Sequence, residues 1–175
     1  MKIFVFLLPL IVVVSCTGLS GTADHGQQTV EKVDLERYMG RWYEIASFPN
    51  WFQNECYCTM AEYELREDHV SVRNSCRKGS SHGKLDAATG KAYPVSGSNN
   101  SRLKVQFFWP FKGDYWVLAL DDDYQYAMVG HPSKQYLWIL SRTPTMTDHV
   151  YRTLVERAVQ KGYDISRIKR TFCSE

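Results

Sequence analysis

The stretch Arg102–Asp121, RLKVQFFWPFKGDYWVLALD, holds two strand-like runs joined by a turn over residues 110–114. In the first run Leu103, Val105, Phe107 and Trp109 share a face while Lys104 and Gln106 point the other way. In the second, YWVLAL, both faces are apolar. One of those faces can line an interior while the other packs beneath a further layer. Working outward, short apolar runs bounded by turn residues predict strands near 42–48, 57–66, 69–76, 84–96, 102–109, 115–121, 125–131 and 136–142. Eight short strands with tight connections fit an antiparallel barrel or sandwich rather than a sheet with parallel crossovers. A single amphipathic helix follows from Asp148 to Lys161. Val150, Tyr151, Leu154, Val155, Ala158 and Val159 lie on one face, Thr147 is suited to cap the start and Gly162 to stop the end. A lined barrel with that helix packed outside satisfies both apolar faces of the second run.

The chain has 175 residues, enough for one domain with a sizeable core. It begins MKIFVFLLPLIVVVSC, one basic residue followed by an apolar run from Ile3 to Val14 that is too short for a membrane span and reads as a secretory signal over residues 1–15. Val13-Val14-Ser15-Cys16 resembles a bacterial lipoprotein box, in which Cys16 is acylated and becomes the new N-terminus. Cleavage after Ala23, with Gly21 and Ala23 as the small residues, is the alternative and would leave a soluble secreted or periplasmic protein. On the first reading residues 16–33 form a lipid-anchored tether spanning ~23 Å, Thr17 after the cysteine leans toward the outer membrane, and residues 34–175 form the barrel domain.

A formal net charge of +2, of which Lys2 would leave with the signal, gives no electrostatic case for nucleic acid. Apart from Cys16, the cysteines are Cys56, Cys58, Cys76 and Cys173, an even set that in an exported chain suggests two disulfides with three connectivities open. A zinc site is disfavoured, because Cys56-Tyr57-Cys58 has a one-residue gap and no second close pair exists. No Gly-x-Ser-x-Gly elbow, His-Glu-x-x-His pair or phosphate loop is present. His25, His69, His82, His131 and His149 are scattered without a patterned nucleophile beside them. His131, near one strand end, would be the sole candidate to ligate a haem iron. Glu44 shares the face of Trp42 by alternation and is a candidate inward carboxylate.

Gly40-Arg41-Trp42, extended by Tyr43-Glu44-Ile45-Ala46, together with Asp123-Tyr124 ahead of a strand and Arg142 in YLWILSRTP, resembles the three motifs of the lipocalin family. Within that family the chain resembles the bacterial outer-membrane lipoprotein lipocalins and apolipoprotein D, over nearly the whole mature chain. The resemblance implies an all-β fold, an eight-stranded antiparallel up-and-down β-barrel with one C-terminal α-helix packed outside. It places Gly40, Trp42, Asp123, Tyr124 and Arg142 at the closed end, with the guanidinium stacked on the Trp42 ring. The loops at 49–55, 77–83, 110–114 and 132–135 then lie at the open mouth, where Pro49, Trp51 and Phe52 line the rim, either exposed or packed on neighbouring loops.

Likeness to apolipoprotein D further implies a pocket lined by Tyr63, Asn74, Phe107, Tyr115 and Trp138, to which alternation adds Val72, Val105, Val117 and Leu140. It suggests a Cys58–Cys173 bridge, and bacterial relatives suggest Cys56–Cys76, although hairpin register alone would bring Cys76 nearer Cys58. The function implied is binding and storage or transport of fatty acids or lysophospholipids at the cell envelope, without a cofactor. Lys112 and Lys134 would be the mouth cations for an anionic headgroup. The alternatives are a lipid-modifying enzyme on the same fold, or a surface protein whose aromatic rim docks a partner or forms a homodimer.

Overall fold

The computed structural model describes residues 29–171 and 173; the expected signal, Cys16 and most of the tether lie outside them. Strand β1 is Gly40–Ser47, β2 Cys56–Leu65, β3 Val70–Lys78, β4 Leu85–Pro94, β5 Arg102–Phe108, β6 Phe111–Leu120, β7 Tyr126–Gly130 and β8 Leu137–Ser141. Each pairs antiparallel with the next, and β8 returns to pair with β1, which closes the barrel. Closure leaves the eight strands without an open edge over most of their length.

The period-2 pattern sorts the apolar side chains into two cores. Trp42, Tyr63, Val70, Val72, Ala92, Leu103, Val117, Ala127, Val129 and Leu140 face inward. Ile45, Ala46, Leu118, Met128, Leu137 and Ile139 face outward and are covered by Leu154 and Ala158 of helix α2, Asp148–Gln160, with Tyr163 just beyond it. (A four-residue helix, Leu35–Tyr38, precedes β1 and is called α1 below.) Thr147 accepts from the Val150 amide at the start of α2, and Gly162 at φ +76° turns the chain away at its end. The two apolar faces of residues 115–120 are thus divided between barrel and helix, as the alternation requires.

Three features depart from the sequence reading. The turn expected over 110–114 is much shorter: Phe108 pairs with Phe111, and β6 begins there rather than at 115. Residues 29–33, assigned to the tether, are tied to the barrel base, where Thr29 and Ser101 share a hydroxyl contact of 3.0 Å and Val33 is fully buried. A ninth strand, β9, Lys169–Arg170, pairs with Ala46 and Ser47 on the upper half of β1, the half that β2 does not reach.

Candidate functional site

The base of the barrel is sealed by the motif residues. Gly40 enters β1 at φ +91°, a conformation that strains any residue with a Cβ. The Arg142 guanidinium lies 3.9 Å from the Trp42 ring centre and donates to the carbonyls of Tyr124, Arg41 and Arg37 at 3.1, 3.0 and 2.7 Å. Three chain segments are pinned by one side chain. Trp42 Nε1–H in turn donates to the Tyr38 carbonyl, and the Tyr124 hydroxyl accepts the Asp34 amide. Asp123 is exposed in its turn, and it is Asp121 that accepts the Tyr126 amide.

Above this floor three tyrosines meet. Tyr38 from α1, Tyr63 from β2 and Tyr115 from β6 form a hydroxyl chain, with Tyr115 Oη 2.8 Å from Tyr38 and 3.0 Å from Tyr63. Tyr38 also packs on Trp42 and Tyr63 at ring separations of 5.0 and 5.7 Å. Burial pushes the Tyr63 hydroxyl up to about 12 and raises Tyr38 and Tyr115 well above the usual tyrosine range, so all three are neutral near pH 7. The rings line a cavity of about 20 Å³ with Leu35, Met39, Val70, Val72, Ala92, Leu103 and Val105.

All nine residues expected to line the pocket have inward positions, at two depths. Tyr63, Val72, Val117 and Leu140 are buried in the lower core, whereas Asn74, Val105, Phe107, Tyr115 and Trp138 keep partial exposure. Gly90 on β4 leaves room for Phe107: a Cβ there would come within 2.9 Å of its ring. Asn74 Oδ1 is buried and without a hydrogen-bond partner. Tyr38 was missed by alternation because a four-residue helix, not a strand, delivers it.

At the mouth the Trp51–Gln53 turn folds toward the barrel. Gln53 Oε1 accepts from Trp138 Nε1, and its amide donates to Glu44 at 2.7 Å; Ser47 and Thr171 hydroxyls also donate to Glu44. The inward carboxylate therefore joins the mouth turn to the β9 segment. Phe52 packs on Tyr136 and Trp138, while Trp51 is 80% exposed. Phe108, Trp109 and Phe111 on the β5–β6 tip are exposed too, Trp109 by 86%. Lys112 sits over the Tyr93 ring at 4.6 Å, and His131 bonds Ser133.

Both expected bridges are formed, Cys56–Cys76 and Cys58–Cys173. Cys58 lies at φ +49° within a register shift between Tyr57 and Met60. Continued without that bulge, the hairpin register would set Cys58 opposite Arg77, next to Cys76; with it, Cys56 pairs with Lys78 and becomes the diagonal neighbour of Cys76. The described cysteines are thus all bridged, and no group of three His, Cys, Asp or Glu able to hold a metal occurs among the described residues.

A family model described as "Lipocalin-like domain" matches residues 33–172. The chain is 45% identical over 153 residues to temperature-induced lipocalin-1 of Arabidopsis thaliana, covering 82% of this chain and 81% of that one. It is 40% identical over 170 residues to outer membrane lipoprotein Blc of Escherichia coli K12, covering 92% and 94%. Among solved structures, insecticyanin from the tobacco hornworm Manduca sexta superposes with a TM-score of 0.69 at 24% identity, covering 85% of each chain, a likeness of fold alone.

Proposed function

From the premise that the chain belongs to the lipocalin family, whose members generally bind small hydrophobic ligands, we propose that it takes up a single-chain lipid, a fatty acid or lysophospholipid, in the upper half of the barrel. The observation that carries this is the pairing of a sealed base with a partly exposed upper wall of Val105, Phe107, Tyr115 and Trp138. A buried acyl tail of a dozen methylenes gains ~10 kcal/mol at about 0.8 kcal/mol each. Association and ordering costs bring that to the micromolar range. The family's general character as binders, with the described thiols all bridged, favours a carrier over an enzyme.

The likeness to an outer membrane lipoprotein supports an acylated Cys16 and an envelope location. Exposed Trp51, Phe108, Trp109 and Phe111 then form an apolar collar through which a lipid passes between bilayer and barrel. The test is displacement of a fluorescent fatty acid from delipidated protein by palmitate and by lysophosphatidylcholine. Phe107→Ala and Trp138→Ala are each expected to weaken uptake about tenfold, the loss of roughly 50 Å² of apolar contact. A protein that takes up neither lipid overturns the carrier reading. Labelled palmitate incorporated by the wild type and absent from Cys16→Ala supports the anchor; equal labelling, or none in either, rejects it.

A further inference from the structure

The tyrosine trio has a proton count that matters for the ligand. Each hydroxyl carries one proton to donate. Two hydrogen bonds join the three groups, so whichever way they run, one proton has no acceptor within the trio. Burial holds the three in their neutral forms.

One row nearer the mouth stands the complementary group. Tyr63 pairs with Val72 and Ala61 with Asn74, which makes Asn74 the diagonal neighbour of Tyr63 on the inward face. Its carboxamide oxygen is buried and accepts from no group in the structure. The trio thus holds one uncommitted donor, and the next row of the same inward face holds an uncommitted acceptor, in a barrel wall that also carries Val72, Val105 and Phe107. Leaving such groups unpaired in an apolar site is unfavourable, and a ligand that pairs both removes the penalty.

Resting on the carrier reading above, we propose that the trio and Asn74 form a subsite for a hydroxyl on the end of the ligand that enters first. The hydroxyl accepts the free tyrosine proton and donates its own to Asn74 Oδ1. A carboxylate has no proton for that oxygen, and the nearest guanidinium, Arg142, is committed to three carbonyls behind Trp42. The ligand class is an apolar chain with a terminal alcohol, such as an ω-hydroxylated acyl chain.

The test compares two lysophosphatidylcholines, one with a hexadecanoyl and one with a 16-hydroxyhexadecanoyl chain, as competitors against the fluorescent fatty acid. Their common headgroup keeps the chain end leading. The full-length protein is expected to bind the hydroxylated lipid within threefold of the plain one, or tighter. An all-apolar floor would weaken it about tenfold or more. Asn74→Leu, and separately the combined Tyr38→Phe, Tyr63→Phe and Tyr115→Phe variant, should each lower the ratio of hydroxylated-lipid to plain-lipid affinity at least fivefold, whatever either change does to both lipids together.

Exchanging all three tyrosines removes the network without orphaning a hydroxyl, and should that variant not fold, the wild type and Asn74→Leu still decide. Hydroxylated lipid bound more than threefold weaker than plain by the wild type, or a ratio of the two affinities unmoved in the variants, overturns the subsite while leaving the carrier. Neither lipid bound overturns both.

Discussion

Arg142 carries more of the base than its position at the end of a strand suggests. Its guanidinium satisfies three backbone carbonyls and covers Trp42, so Arg142→Met removes a cation–π contact of ~0.5–2 kcal/mol and orphans acceptors at ~1–3 kcal/mol. A loss of roughly 2–4 kcal/mol is expected in urea unfolding, without change in the inner wall. The trio makes a subtler prediction. Tyr115 is the middle of the chain, and Tyr115→Phe strands two hydroxyls, whereas the triple Phe exchange strands none. The single variant should therefore be less stable than the triple one by ~1–2 kcal/mol, an inversion that unfolding curves of both would show.

Among the elements, β9 depends most on a covalent tie. It is two residues long and pairs only with the upper half of β1, yet Thr171 reaches Glu44 and Cys173 is bonded to Cys58. The two bridges differ in what they close: 115 residues for Cys58–Cys173 against 20 for Cys56–Cys76. Chain entropy assigns about 5 and about 3 kcal/mol to loops of those lengths. The Cys58→Ser, Cys173→Ser pair should thus be less stable than the Cys56→Ser, Cys76→Ser pair by ~1–2 kcal/mol. It should also raise hydrogen exchange at the Thr171 amide, which donates to the Ile45 carbonyl of β1. On β4, a Cβ at Gly90 would come within 2.6 Å of the Gln106 carbonyl oxygen and 2.9 Å of the Phe107 ring, so Gly90→Val should lower stability by ~1–3 kcal/mol in urea unfolding as well as reduce lipid uptake in the displacement assay.

For the whole molecule, the tyrosines set an alkaline limit. The folded-state pKa of Tyr63 is raised to about 12 from an unfolded value near 10, and burial raises those of Tyr38 and Tyr115 as well. A group raised in this way contributes its full stability below the unfolded pKa and loses it as pH climbs through the folded one. Stability should then fall from about pH 10 upward, by up to ~1.4 kcal/mol per pH unit for each tyrosine. The triple Phe variant should lack that part of the slope, and the difference in tyrosinate absorbance between wild type and that variant should rise with unfolding and not before it.

At this scale the limits of the sequence are also plain. Strands and helix α2 were legible because eight runs of period 2 and one of period 3.6 are long enough to show a period; α1 and β9, four and two residues long, are not. The short turn at the β5–β6 tip was masked by Pro110 and Gly113, which read as a turn over 110–114 although Phe111 pairs with Phe108 across the hairpin. The inward set Val72, Val105, Phe107, Val117 and Leu140 was within reach of alternation, since neighbouring side chains on a strand must take opposite faces.

What sequence alone determined is therefore local and periodic: which residues form strands, which way each side chain points, and where the glycine and cap residues stop an element. Which inward residues meet depended on closure. Tyr38 and Tyr115 are 77 positions apart and Tyr63 and Tyr115 are 52 apart. Nothing in a period of two residues brings them within 3 Å. Only the return of β8 to β1, with the tilt and register that closure imposes, carries three distant hydroxyls to one point.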